Sequence, residues 1–258
     1  MSTLYFATAA KSAVGLVRAG NEDSAMTSRF LIAVADGMGG HAAGEVASRL
    51  AIKTLAREAE AFTQIDCDID SADDLYSSSL SVIDATLSEH VIENPELAGM
   101  GTTLSSLFLR GGSVAALHIG DSRIYRLRGN TLEQLSTDHT VIQELLSQGA
   151  ITEADVATHP QRSVLTQVLM GDGRNEPSLA IHEAKINDRY LLCSDGLTNV
   201  VSDKEIKSAI KGKARGAAAD ALVDAAYING APDNVSVIVA DVLDNDIQEP
   251  IAMLGAAK

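Results

Sequence analysis

The fold is decided by residues 103–130, which read TLSSLFLRGGSVAALHIGDSRIYRLRGN. Three apolar segments follow one another here, and turn-forming residues bound each of them. Gly111-Gly112 and Gly129-Asn130 are typical of hairpin turns. Hairpins join antiparallel strands, whereas parallel strands need long crossover connections. The stretch therefore predicts an antiparallel sheet and not a doubly wound parallel one.

Further strands and helices are predicted on both sides of this stretch. The strand-like runs are Phe30–Val34, Thr103–Leu109, Val114–Ile119, Arg123–Leu127, Tyr190–Cys193 and Val235–Ala240. Apolar residues at helical spacing predict helices over Gly44–Ala59, from Tyr76 to Val91, from Ser202 onward with Glu205 completing a capping box, and over Ala217–Tyr227. The order predicts an α+β fold, with antiparallel sheets packed together and helices outside.

Residues 1–243 are predicted to form one domain, because no repeat or low-complexity tract divides them. Within it, residues 139–173 are less apolar and contain His159-Pro160, which predicts a small surface insertion near the functional site. Residues 244–258 have a mixed composition and are predicted to be a loose tail or tether.

The chain is acidic, with 35 Asp and Glu against 20 Lys and Arg and a net charge of -15. This balance argues against a nucleic-acid partner, because phosphate backbones need basic residues to neutralise them. It is compatible with a phosphorylated substrate if metal ions supply local positive charge. The plainer interpretation is that most of the acidity serves solubility.

Cysteine usage and the N-terminus predict a cytoplasmic protein. Cys67 and Cys193 form no CxxC motif, and the apolar run around Cys193 predicts a buried thiol. The first residues lack a basic segment followed by a long apolar stretch, so no signal peptide is predicted. No uncharged apolar run approaches ~20 residues, so no membrane span is expected.

Aspartates recur at the ends of the predicted strands. Asp36-Gly37 and Asp195-Gly196 each follow an apolar strand, Asp233-Asn234 precedes one, and Asp121 follows another. Any one of these pairs is more simply a turn. Four such strand ends together suggest carboxylates converging on one cleft, which is costly unless cations bind there. Hard divalent cations prefer such oxygen ligands.

The segment Arg18-Ala-Gly-Asn-Glu-Asp23 adds one cation and two carboxylates. Arginine binds phosphate in a bidentate manner, which makes Arg18 a candidate phosphate ligand. Glu22 and Asp23 are candidates for holding metal-bound water. A polar turn without chemistry is the alternative interpretation of this segment.

The ordered blocks RAGNEDS, VADGMGGHAAGEVAS, GMGTT, IGDSRIYRLR, LLCSDGLT and APDNVSVIV resemble the signatures of the protein phosphatase 2C family, also called the metal-dependent PPM family. The chain is most similar to bacterial members that oppose membrane-linked Ser/Thr kinases, especially the actinobacterial type. Residues 137–171 also resemble the flap of those enzymes. The resemblance implies a sandwich of two antiparallel sheets flanked by helices, with a binuclear Mn²⁺ or Mg²⁺ centre at one end.

The resemblance also implies roles for individual residues. Asp36 would bridge both metals, the Gly37 carbonyl would bind one of them, and Asp195 and Asp233 would complete the other. Asp121 would serve a third and weaker metal, with Ser163 from the flap as a further candidate ligand. Arg18 would bind the substrate phosphate, Glu22 and Asp23 would hold metal-bound water or support the metal ligands, and Asn234 would support the site. The animal enzymes have a histidine directly after the Asp-Gly pair, whereas Met38 follows here. His41 is therefore either the general acid or a polar residue near the start of a helix.

The activity that follows is hydrolysis of phosphoserine and phosphothreonine by a metal-bridging hydroxide. The expected partners are phosphorylated proteins, including Ser/Thr kinases and their substrates, and the chain is expected to act as a monomer. A catalytically dead phosphoprotein-binding module is the first alternative, but the carboxylate set is intact. A phosphodiesterase-like metal hydrolase is the second, but no two of the six histidines cluster in sequence.

Overall fold

A computed structural model describes residues 3–40, 43–64, 68–156, 159–245 and 249–258. The strands are β1 (Tyr5–Ala13), β2 (Asp23–Thr27), β3 (Leu31–Met38), β4 (Gly101–Thr102), β5 (Leu104–Arg110), β6 (Ser113–Ile119), β7 (Arg123–Arg128), β8 (Thr131–Gln134), β9 (Ser178–Glu183), β10 (Arg189–Cys193), β11 (Val235–Leu243) and β12 (Ala252–Gly255). The helices are α1 (Ala43–Glu58), α2 (Ala72–Glu93), α3 (Val141–Ser147), α4 (Glu153–Val156), α5 (Asp195–Thr198), α6 (Asp203–Ile210) and α7 (Arg215–Ile228).

The strands form two antiparallel sheets. The first sheet has the order β1-β11-β10-β7-β8, and the second has the order β12-β2-β3-β5-β6-β9, with β4 paired to β3. Both predicted hairpins are present: Arg110 pairs with Ser113 across Gly111-Gly112, and Arg128 pairs with Thr131 across Gly129-Asn130. The prediction of an antiparallel architecture is confirmed.

Three apolar clusters show how the layers pack. One lies between α1, α2 and the second sheet, another lies between α6, α7 and the first sheet, and the third lies between the two sheets. Strand β3 is buried on both faces, with Leu31 and Ala33 toward the helices and Ile32 and Val34 toward the other sheet. This two-sided burial explains why the strand has a continuous apolar run and no alternation. The order of layers is helix, sheet, sheet, helix.

The four predicted helices are present as α1, α2, α6 and α7. The capping box at the start of α6 is also present, since the Ser202 side chain accepts from Glu205 N–H and the Glu205 side chain accepts from Ser202 N–H.

Among the described residues, none of the helices combines the length and the apolar character that a membrane crossing needs. Cys193 is fully buried, as predicted, and burial raises the pKa of its thiol to about 12. Cys67 lies outside the described residues.

The prediction of a loose tail is wrong for the last residues. Strand β12 pairs with β2 through Ala252 opposite Thr27, and Ala257 is buried. The Glu249 carboxylate also accepts hydrogen bonds from the N–H and the hydroxyl of Thr8. The sequence AMLG carries little strand propensity of its own, so the open edge of β2 determines this pairing.

Candidate metal and phosphate site

The space between the sheets turns from apolar to polar at one end. Asp23 and Asp36 lie directly opposite each other in the β2–β3 pair, on the face of the sheet that Ala25 and Val34 turn toward the other sheet. Asp23 is fully buried, and its Oδ2 accepts a hydrogen bond of 2.7 Å from Ser194 Oγ. The Asp23 Oδ1 atom has no hydrogen-bond partner.

The backbone of Asp36 is fixed by two threonines. Its N–H donates to Thr103 Oγ1 at 2.9 Å, and its carbonyl accepts from Thr103 N–H and Thr102 Oγ1, both at 2.9 Å. These bonds hold the end of β3 in place and leave the Asp36 side chain toward the cleft. A carboxylate on such a rigid element costs little entropy to position.

Gly37 lies at a close approach between β3 and α1. A Cβ atom at Gly37 would lie 2.0 Å from the carbonyl oxygen of Gly44. The Gly37 N–H donates to the Glu22 carbonyl at 3.1 Å, which ties the Arg18–Asp23 segment to the end of β3. Glycine is therefore required at Gly37 by space, whatever else its carbonyl does.

Asp195 and Asp233 enter from the first sheet. Asp195 is the first residue of α5, and its Oδ2 accepts from Asn199 Nδ2 at 2.9 Å. Asp233 lies two residues before β11, and its Oδ1 accepts from Asn234 N–H at 2.8 Å. The strands β10 and β11 are hydrogen-bonded neighbours, so the two carboxylates come to the same end of the sheet.

Asn234 positions the segment that carries Arg18. Its Oδ1 accepts from Glu22 N–H at 2.8 Å, and its Nδ2 donates to the carbonyls of Val14 and Gly20 at 2.8 and 2.9 Å. Arg18 Nη2 lies 2.7 Å from Asp233 Oδ2. Arg18 therefore reaches the carboxylate cluster and pairs with one of its members.

One cleft of about 1340 Å³ collects most of the residues that the sequence singled out. Its walls include Arg18, Glu22, Asp36, Gly37, Asp121, Asp195, Asp233 and Ser163. Asp23 and Asn234 are buried behind the wall. His41 lies outside the described residues, so its predicted role as general acid stays a prediction.

The cluster raises the pKa of its own carboxyl groups. Burial, and then the charges of Asp23 and Asp195, raise the pKa of Asp36 well above its usual value. Burial raises the pKa of Asp23 to about 7, against the opposing effect of its serine hydrogen bonds. Burial and the charge of Asp195 raise the pKa of Asp121 to about 8. Without cations the site therefore holds protons near neutral pH.

Asp195 and Glu22 shift in the same direction. Burial and the charge of Asp233 raise the pKa of Asp195, although hydrogen bonds from Asp36 and Asn199 oppose the rise. Burial raises the pKa of Glu22, and Arg18 opposes it. Arg18 is the nearby cation for this part of the cluster, and its own pKa is raised by its hydrogen bond to Asp233.

The sequence did not reveal several residues that shape the site. Ser194 supports Asp23, Thr103 holds Asp36, and Asn199 holds Asp195. Arg123 also lines the cleft and makes a bidentate pair with Asp138, with nitrogen-oxygen distances between 2.7 and 3.0 Å. Asn199 could have been found, since it stands four residues after Asp195 on a helix. The other contacts join distant segments and leave no local signal.

Gly196 gives a test of this geometry. A Cβ atom there would lie 1.9 Å from the Asn234 carbonyl oxygen. We expect Gly196→Ala to lower the free energy of unfolding by about 1–3 kcal/mol, since backbone must move away from α5. The matched control is Gly216→Ala on α7, where nothing lies within 4 Å of the added methyl. It should leave stability equal or raise it by up to about 1 kcal/mol in urea melts; equal stability of both variants would contradict the contact.

The family model described as protein phosphatase 2C matches residues 21–218. The chain belongs to the protein phosphatase 2C family, which confirms the resemblance read from the sequence blocks. Its fold of two antiparallel sheets flanked by helices is the fold of solved members.

Among its relatives is the serine/threonine protein phosphatase PstP of Mycobacterium tuberculosis, which is 43% identical over 257 residues, covering 99% of this chain and 48% of PstP. The chain thus spans about half the length of that relative. The serine/threonine phosphatase stp of Listeria welshimeri is 32% identical, covering 88% of this chain and 92% of that protein. The crystal structure of the catalytic domain of PstP in complex with two manganese ions matches with a TM-score of 0.85 and 40% identity, covering 93% of this chain and 99% of that one.

Proposed function

We propose that this chain is a metal-dependent protein phosphatase that hydrolyses phosphoserine and phosphothreonine on proteins. The observation that carries the proposal is the convergence of Asp36, Asp121, Asp195 and Asp233 on one cleft that Arg18 also lines. The relatives named as serine/threonine phosphatases support the same activity. Proposed partners are phosphorylated proteins, including Ser/Thr kinases and their substrates.

The donor set fits hard divalent cations. The side chains that meet in the cleft offer oxygen and neither thiolate nor imidazole from the described residues, which suits Mn²⁺ or Mg²⁺ better than softer metals. Burial, and then the charges of neighbouring carboxylates, raise the pKa of Asp36 and Asp121, and a bound cation would offset both effects. Within the described residues, no group of three or more His, Cys, Asp or Glu side chains stands in the arrangement of a formed metal site.

The proposed ligands are those that line the cleft. Asp36, the Gly37 carbonyl, Asp195 and Asp233 would hold two cations. Asp121 and Ser163 would hold a third, and Glu22 would hold a coordinated water. Bound cations would supply a water activated for attack and would neutralise charge on the phosphate. Asp23 and Asn234 would keep these groups in place through the hydrogen bonds described above.

Arg18 would bind the substrate phosphate after leaving Asp233, whose charge the cations would then balance. A guanidinium donates two parallel hydrogen bonds to a phosphate and stabilises the charge that spreads over its oxygens. The side chain of Arg18 is 48% exposed, which leaves it free to turn toward a ligand in the cleft. The chain's own share of the reaction is thus to orient the phosphate and to hold the acidic ligands.

Arg18→Ala should raise KM for a phosphothreonine peptide by roughly 10–100-fold, the value of a hydrogen bond to a charged group. The effect on kcat should be smaller, because the cations would still act on the phosphate. Steady-state kinetics with Mn²⁺ measure both constants. Arg57→Ala, at an exposed position on α1, is the control and should match the wild type. A normal KM in Arg18→Ala would contradict the assignment.

We further propose that residues 1–243 form the catalytic domain, with residues 139–173 as its flap, and that the domain acts as a monomer in the cytoplasm. Eleven residues of this segment line the cleft, among them Arg162, Ser163 and Val164, which supports a role near the substrate. Light scattering of the purified chain at micromolar concentration would test the monomer.

The activity test uses a phosphothreonine peptide, a phosphotyrosine peptide and p-nitrophenyl phosphate, each with Mn²⁺, with Mg²⁺ and with excess chelator. We expect phosphate release from the phosphothreonine peptide with either metal, little release from phosphotyrosine, and none with chelator. Release that persists in chelator, or no release at any metal concentration, would contradict the proposed function.

A further inference from the structure

A second cavity adjoins the catalytic cleft and is basic. It has a volume of about 420 Å³ and is lined by Asn130, Thr131, Leu132, Asp203, Lys204 and Lys207; we call it the α6 pocket. Asp203 lines both this pocket and the cleft, so the two cavities meet at that residue. A substrate bound in the cleft could therefore extend into the α6 pocket.

The lysines of the pocket lie on one face of a rigid helix. Lys204 and Lys207 are three residues apart and form a short row on one face of α6, and Lys211 follows directly after the helix ends at Ile210. Helix α6 is fixed by its capping box and by Ile206 and Ile210, which are fully buried. Lys211 Nζ donates to Asn130 Oδ1 at 2.6 Å, joining the end of α6 to the β7–β8 hairpin.

Lys204 and Lys207, the two lysines that line the pocket, make no ion pair with a carboxylate of the described residues. Acidic residues outnumber basic ones by 35 to 20, yet among the described residues no carboxylate lies within 4.0 Å of the amine of Lys204 or Lys207. Asp203 would be the natural partner of Lys207 one turn later, but it accepts from Tyr125 Oη at 3.1 Å. Glu205 accepts from Ser202 instead. Neither amine is therefore held in a direct ion pair, and each remains available to a ligand.

From this arrangement we infer that the α6 pocket binds a second anionic group of the substrate, a phosphate on a residue near the one being hydrolysed. The inference rests on the proposed phosphatase activity and adds a preference for multiply phosphorylated segments. Lysine amines are good point-charge partners for phosphate. An acidic protein repels a segment with two phosphates, so local cations next to the cleft would restore its attraction.

A membrane surface is a poorer occupant of the same pocket. Anionic lipids attract basic segments by about 1 kcal/mol for each basic residue near the surface, and three lysines here oppose a net charge of -15. Continuity with the cleft favours a phosphorylated peptide.

The test compares peptides that carry one phosphothreonine with peptides that carry a second one two to six residues away on either side, a span of roughly 7–20 Å in an extended chain. We expect at least one doubly phosphorylated peptide to have kcat/KM about tenfold above its singly phosphorylated parent. Lys204→Gln/Lys207→Gln should remove this advantage and leave the parent peptide unchanged. The control Lys53→Gln/Lys185→Gln removes the same charge outside both cavities and should keep the advantage.

Binding of fluorescent peptides, measured by anisotropy, separates this inference from the activity itself. If no peptide is hydrolysed, the proposed function is contradicted. The pocket would still be supported if a doubly phosphorylated peptide bound tenfold more tightly than its parent and the lysine variant lost this difference. If both peptide classes bind and react equally in all proteins, the pocket is overturned and the activity stands. Lysine-dependent sedimentation with vesicles of phosphatidylcholine and phosphatidylglycerol, without any peptide preference, would also overturn it in favour of a membrane.

Discussion

Asp36→Asn is expected to lower kcat on a phosphothreonine peptide by at least about a thousandfold, even at saturating Mn²⁺. The proposed cations lower the barrier by several kcal/mol, and each 1.36 kcal/mol corresponds to a factor of ten in rate. Asp36 stands at the centre of the cluster, since the charges of Asp23, Asp195, Asp121 and Asp233 all act on it. Its loss should therefore affect the whole site.

The same variant should fold normally without metal. Asparagine keeps the shape of the side chain and removes a charge that its neighbours repel, so the Tm in chelator should equal or exceed that of the wild type. Asp74→Asn, at an exposed position in the first turn of α2, is the control with the same change of charge, and it should keep full activity. A variant at Asp36 with normal Mn²⁺-dependent turnover would show that the reaction does not depend on this cluster.

The stability of the metal-free protein should fall as pH rises from about 6.5 to 8. The pKa values of Asp23 and Asp121 are about 7 and about 8 in the folded chain, above the ordinary 3.8. The folded state therefore binds more protons than the unfolded state in this window, and the free energy of unfolding decreases with pH. Below this window, burial lowers the pKa of His118 to about 4, and that histidine acts in the opposite direction.

Mn²⁺ should reverse this pH dependence. Cations bind the deprotonated carboxylates, so the Mn²⁺-induced rise in Tm should be larger at pH 8 than at pH 6.5. Asp121→Asn removes one of the titrating groups and should flatten the slope of the metal-free protein. Thermal melts at pH 6.5 and pH 8, each in chelator and in Mn²⁺, give the four Tm values for this comparison. A metal-free Tm that rises across the window would contradict the protonated cluster.

The sequence predicted those parts of the fold that have a strong local signal. The continuous apolar run of β3 and the glycine turns around β6 were sufficient for an antiparallel sheet. Strand β1 was not predicted, because its four alanines and Lys11 have weak strand propensity and the strand is held by pairing along the whole of β11. Strand β12 was not predicted either, because its position depends on an edge that only the folded sheet presents.

The site was predicted to the extent that each residue carried its own signal. Asp36, Asp195 and Asp233 were marked by strands that end or begin beside them, and their convergence required the topology in which β10 and β11 are neighbours. The pairing of Arg18 with Asp233 could not be predicted, since it depends on a loop that Asn234 holds through three hydrogen bonds. The unpaired lysines of the α6 pocket likewise emerge only when the partners of Asp203 are known.

The most direct measurement is calorimetric titration of Mn²⁺ into the wild type, Asp36→Asn and Asp233→Asn near pH 8. The carboxylates gathered from β3, α5 and the start of β11 should give the wild type at least two bound ions, and each variant should lose at least one of them. Absence of Mn²⁺ binding by the wild type, or equal binding by all three proteins, would mean that these side chains do not form a cation site.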